Sequence, residues 1–77
     1  FYIEFDPECR HSSDKHDEGV EEHIFVLRGT LRLVLGDRPV EVSERQAIRF
    51  RADIPHAYQN VTGDRCEVYN TIFYPSH

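Results

Sequence analysis

The sequence predicts an all-β domain, a barrel or sandwich of seven or eight short strands. Three observations carry this reading. Apolar and polar residues alternate with a period of two in segment after segment; Gly, Asp and Pro turn signals interrupt the alternation about every ten residues; and helical periodicity is almost absent. The chain has 77 residues, room for one domain and one core. A domain this small is marginal alone, so barrel closure, dimerisation or a bound metal would each help. Hydrophobic residues make up 39%, which is enough for a packed core and too much for a disordered chain.

The elements follow in order. Phe1 to Phe5 reads as a strand, ended by Asp6, Pro7 and Glu8. Arg10 to Gly19 is polar and reads as a loop. His23 to Leu27, rich in Ile, Phe and Val, is the second strand, and Gly29-Thr30 turns the chain. Leu31, Leu33 and Leu35 share one face of a third strand. Gly36-Asp37-Arg38-Pro39 is a turn, and Val40 to Ser43 returns from it. Ala47 to Arg51 alternates Ile48 and Phe50 against Arg49 and Arg51. Asp53-Ile54-Pro55 turns into a strand over His56 to Val61, Thr62-Gly63-Asp64 turns again, and Cys66 to Tyr74 is the last strand. Residues 1–77 are read as a single domain without linker or low-complexity segment. The chain opens on Phe1 rather than Met and is already strand-like, so it is expected to be the C-terminal part of a longer protein.

Charge excludes one class of function for the domain alone. Fourteen acidic and nine basic residues give a net charge of −5, and phosphate contacts need clustered Lys and Arg. Arg45, Arg49 and Arg51 lie close together but among acids, as on a solvated outer strand face. No apolar run approaches a membrane span and no signal peptide is visible. Cys9 and Cys66 form no CxxC unit; two free thiols in a reducing, cytoplasmic setting are expected, with a disulfide between terminal strands as the alternative.

Five histidines stand at 11, 16, 23, 56 and 77. His16 ends a loop, Glu22 starts a strand and His56 starts another after a Pro turn. Imidazole and carboxylate are the usual ligands of zinc, iron, manganese and nickel, and ligands at strand starts can converge where a sheet closes. Alternation places Ile24 and Val26 inward with Glu22, and Tyr58 and Asn60 inward with His56. The competing reading makes each histidine a surface or hydrogen-bonded strand-end residue, and it is the preferred one for His11, His23 and His77.

These residues resemble the cupin superfamily over nearly the whole chain. Glu22, six further residues and Gly29 match the second half of the first cupin motif. His16-Asp17-Glu18 matches its histidine pair with Glu18 in place of the second His, and Arg10 stands where the motif opens on Gly. Arg45, Arg51, Asp53, His56 and Asn60 keep every spacing of the second motif. His56 and Asn60 match by identity, while Arg45, Arg51 and Asp53 replace Gly, Pro and Gly. A turn at Arg45 must then adopt another type or carry strain. More narrowly, the stretch from His16 through Glu22 and Val26 to Gly29, followed by Phe50, Ala52-Asp53, Pro55-His56, Tyr58 and Asn60, is similar to the C-terminal sensor domain of XRE-type helix-turn-helix regulators.

The resemblance implies a small double-stranded β-helix barrel of jelly-roll type. It implies a divalent metal on His16, Glu22 and His56, zinc first with iron, manganese or nickel as alternatives, and leaves Glu18 open as a fourth ligand. It further implies an effector pocket with Phe50, Tyr58 and Asn60, taking an amino acid or small organic acid. DNA would be bound only through a helix-turn-helix domain that this chain lacks. A homodimer is expected, with Tyr69, Thr71 and Phe73 of the last strand available to a partner. The alternative is a small metal-dependent enzyme of dioxygenase or isomerase type; against it, no acid–base pair stands out beside the ligands. A metal-free dimerisation barrel is the third reading.

Overall fold

The structure, a computed structural model, describes residues 1–13 and 16–75. Eight strands follow one another: β1 (Tyr2–Phe5), β2 (Arg10–Ser13), β3 (Glu21–Arg28), β4 (Thr30–Leu35), β5 (Arg38–Ser43), β6 (Ala47–Arg51), β7 (His56–Gln59) and β8 (Cys66–Phe73). They form two four-stranded antiparallel sheets, ordered β1-β8-β3-β6 and β2-β7-β4-β5. The all-β expectation holds. The one element the sequence reading lacked is β2, which lies within the stretch read as loop. Its residues Arg-His-Ser-Ser have no apolar alternation, and pairing with β7 rather than local propensity makes it a strand.

Period-two alternation decides what each strand buries. On β3, Glu22, Ile24 and Val26 face inward; on β4, Leu31 and Leu33 do; on β8, Cys66, Val68 and Asn70 do. With Phe5, Val42, Phe50 and Tyr58 these form one core between the sheets. The outer face of the first sheet carries paired charges: Arg49 bonds Glu21 at 3.0 Å and lies 4.4 Å over the Phe73 ring, and Arg51 bonds Asp53 at 2.6 Å. Arg49 and Arg51 thus sit on a solvated, acid-paired face.

Two turns have special backbone. Gly29 alone links β3 to β4 with φ +86°, and a Cβ there would lie 2.9 Å from the Arg65 carbonyl oxygen. Arg45 adopts φ 65°, the left-handed region that a Gly in the second motif would occupy freely. Its N–H donates to Val26 O at 2.7 Å, and Ser43 and Gln46 close the turn around it. Strain at Arg45 is therefore present, whereas Asp53 needs no left-handed backbone. Both cysteines are free; Cys66, paired with Phe5 of β1 in the same sheet, is buried and Cys9 is half-buried. Burial and the neighbouring Cys9 push the Cys66 thiol up to about 11. No helix among the described residues is long and apolar enough to cross a membrane.

Candidate metal and ligand site

Three elements bring three donors together. The loop before β3 is held by the His16 N–H, which donates to Ala52 O at 2.8 Å, and by the Gly19 N–H, which donates to Asp53 Oδ2 at 3.1 Å. This places the His16 ring at the open end of the sandwich, with its side chain 36% exposed. Glu22 enters from β3 and is 1% exposed. His56 enters from β7 directly after the Asp53–Pro55 turn and is buried, its ring stacked on that of His16 with centroids 5.8 Å apart. One donor atom from each of His16, Glu22 and His56 lies within 4.8 Å of the others.

The hydrogen bonds around these donors decide which of their atoms remain free. Nδ1 of His56 is 2.9 Å from the Ile54 carbonyl oxygen, and since a carbonyl only accepts, Nδ1 carries the proton toward it. That leaves Nε2 facing Glu22 Oε2 at 3.3 Å, and His16 Nε2 faces the same oxygen at 3.2 Å. The approach is close without being aligned as a hydrogen bond: Glu22 Oε2 and His56 Nε2 are both buried without a partner. Two lone-pair atoms facing each other in the interior are favourable only with a positive centre between them, a proton or a metal ion.

The other carboxylate oxygen is fully engaged. Glu22 Oε1 accepts from Tyr58 Oη at 2.5 Å and from Asn70 Nδ2 at 2.9 Å. Burial first, and then the Glu22 carboxylate, raise the Tyr58 phenol well above its ordinary value, so it stays a donor. Oε1 is thereby oriented by β7 and β8, and Oε2 remains for the histidines.

A cavity of about 490 Å³ opens beside this cluster. Buried Glu22, Tyr58 and Asn70 with His16 form its base, Ile3, Phe5 and Ile72 its walls, and exposed Asp6, Arg10 and His11 its rim. The mouth is bounded by β1 and β2, one edge strand of each sheet. An apolar waist between a polar base and a charged rim is the usual make-up of a small-molecule site.

The residues singled out from sequence fall in different places. His16, Glu22 and His56 come together. Tyr58 lines the cavity. Phe50 lies behind the site, pairing with Glu22 across β6 and packing edge-on to the His56 ring at 5.6 Å. Asn60 is absent from the cavity lining: its amide donates to the carbonyls of Phe5, Asp6 and Asp64, and its oxygen accepts from Thr62. It ties β1 to the β7–β8 turn. Glu18 is exposed and borders a separate depression with Arg51, Asp53 and Ile54, apart from the donor cluster. His11 is exposed, as expected, and stands on the cavity rim: β2 pairs it with Tyr58 and its ring stacks on Tyr58 at 6.4 Å. His23 pairs outward between Arg49 and Thr71, and His77 lies outside the described residues. Asn70 escaped the sequence reading, although a polar residue in the inward series Cys66, Val68, Asn70, Ile72 was its signal.

Residues 1–72 match the family described as Cupin domain. The chain is 32% identical over 63 residues to the HTH-type transcriptional regulator SutR of Escherichia coli (strain K12), covering 82% of this chain and 35% of that protein. The chain thus spans about a third of the length of that curated relative. Among solved structures it resembles the Cupin_2 domain of an XRE family transcriptional regulator from Enterobacter cloacae, with TM-score 0.93 and 31% identity over 97% of this chain and 79% of that one. It also resembles an HTH_3 family transcriptional regulator from Vibrio cholerae, with TM-score 0.90 and 31% identity over 97% of this chain and 42% of that one.

Proposed function

This chain belongs to the cupin family, and from that premise we propose that it is the effector-sensing part of a transcriptional regulator. In this reading His16, Glu22 and His56 hold a divalent metal, zinc in the first instance, and a small organic ligand enters the cavity to bind beside it. The observation that carries the reading is the pair of unpartnered buried atoms, Glu22 Oε2 and His56 Nε2, facing each other where Glu22 and His16 line a ligand-sized cavity and His56 stands behind them. Two histidines and one carboxylate are a donor set that zinc or iron accepts, and three protein ligands leave coordination positions free. When bound, the metal would supply a positive anchor for an anionic ligand group. The chain's own residues do the rest: Tyr58 and Asn70 orient the carboxylate, Ile54 O fixes the His56 tautomer, and Ile3, Phe5 and Ile72 exclude water from the ligand's apolar part.

DNA would be contacted by a separate helix-turn-helix domain of the intact protein, working in the cytoplasm, where both thiols stay reduced. A ligand changes such a regulator only by favouring one of two arrangements of its domains. Homodimerisation is supported by the outer face of the first sheet, where Tyr2 and Tyr69 stack edge-on at 5.7 Å and Tyr69 and Phe73 are exposed.

The test is metal content by elemental mass spectrometry, comparing the chain with a His16→Ala/His56→Ala double variant. Near-stoichiometric metal in the parent, lost in the variant, is the expected result. Absence of metal from both after reconstitution would overturn the ligand assignment. Turnover of a substrate by the metal-loaded chain would favour an enzyme over a sensor.

A further inference from the structure

Asn70 is 7% exposed and borders the cavity next to Glu22. Its Nδ2 donates to Glu22 Oε1, and because a carboxylate oxygen only accepts, this contact identifies the nitrogen end of the amide. The opposite end is a carbonyl oxygen, Oδ1, buried and without a hydrogen-bond partner. Donors nearby are committed elsewhere: Tyr58 Oη to Glu22, and His56 Nδ1 to Ile54 O. A buried acceptor left in this state is costly, and a site containing one favours a molecule that brings the missing donor.

Resting on the reading of the cavity as a metal-anchored effector site, we infer that Asn70 selects ligands bearing an N–H or O–H donor beside their metal-binding carboxylate, that is, α-hydroxy or α-amino acids. Charge supplies the first half of the argument. Two neutral imidazoles and one carboxylate leave a divalent ion with one net positive charge, which attracts a carboxylate. Chemistry supplies the second. A hydroxyl or amine on the adjacent carbon keeps a proton while its heteroatom binds the metal, and that proton is what Asn70 Oδ1 lacks. A plain carboxylic acid meets the charge and leaves the acceptor unpaired.

The experiment is calorimetric titration of the zinc-loaded chain with glycolate, acetate and methoxyacetate. Methoxyacetate keeps both oxygens of glycolate but has no hydroxyl proton. Glycolate is expected to bind at least about tenfold more tightly than either; Asn70→Leu, which also loses a donor to Glu22 Oε1 and is therefore titrated at saturating zinc, is expected to bind glycolate and methoxyacetate alike. Equal affinities in the parent chain, or methoxyacetate equal to glycolate, would overturn the inference, as would a preference for glycolate over methoxyacetate that persists in Asn70→Leu. The parent series decides the matter by itself if that variant does not fold. A zinc titration without any acid separates the two failures: no zinc uptake defeats the metal reading, whereas uptake without discrimination defeats only the role of Asn70.

Discussion

Asp53 Oδ2 accepts the Gly19 N–H at 3.1 Å and so joins the two loops that present His16 and His56. The same oxygen takes Arg51 at 2.6 Å. One carboxylate thereby spans both halves of the donor cluster without belonging to it.

Acid stability should report this tie. The Arg51 guanidinium first, and then the Gly19 amide, hold the Asp53 carboxyl below its ordinary 3.8. A depressed carboxyl stabilises the fold fully above the unfolded value, and the contribution is lost as pH falls through the lower folded value. The parent should therefore lose stability in that acid window, and Asp53→Asn should be less stable at neutral pH with a flatter acid limb. Circular dichroism melts from pH 7 to pH 2 measure both.

Removing the Tyr58 hydroxyl should loosen the metal without unfolding the domain. Tyr58→Phe leaves Glu22 Oε1 with Asn70 as its remaining donor. Loss of such an outer partner weakens metal affinity by about 10–100-fold. Competition with a chromophoric chelator would show the change; an unchanged affinity would remove Tyr58 from the orienting role.

Glu22→Gln should separate stability from binding. The amide oxygen can still accept from Tyr58 and Asn70, while a charge is removed from a side chain 1% exposed. The metal-free variant is expected to be more stable than the metal-free parent by about 1–3 kcal/mol, with metal uptake abolished. Thermal melts in the presence and absence of chelator would show a variant indifferent to it and a parent that is not.

Gly29→Ala should cost more than the roughly 1 kcal/mol of an ordinary backbone misfit, because the new Cβ meets backbone atoms at 2.9 and 3.2 Å as well as a positive φ. For scale, Leu33→Ala in the core should cost about 2–5 kcal/mol. Urea titration of the three proteins compares them directly.

The architecture was legible where alternation was strong. Leu31, Leu33 and the Glu22–Ile24–Val26 series declared their inward faces, and His56 carried Tyr58 with it. It was silent over Arg10–Ser13, where strand identity comes from a neighbour, so the place of exposed His11 on the cavity rim did not show. Motif spacing singled out His16, Glu22 and His56, positions on a shared backbone whose side chains the fold brings together. It misjudged Asn60, since spacing gives no account of where an amide spends its hydrogen bonds; here they go to the carbonyls of Phe5, Asp6 and Asp64. Asn70 lies outside both motifs; alternation along the last strand marked it as inward, but its bond to Glu22 shows only once β3 and β8 are paired.

The mouth of the cavity lies between two strands that are not bonded to each other, β1 and β2, with His16 reaching solvent at its side. A molecule can therefore arrive and depart without any sheet having to part. Its arrival rate should follow its concentration up to the limit of diffusive encounter, with no slow gating step, and its dwell time should be governed by the contacts at the base. A regulator built on such a vestibule would track rapid swings in supply, and the persistence of its response would be tuned by the off-rate alone.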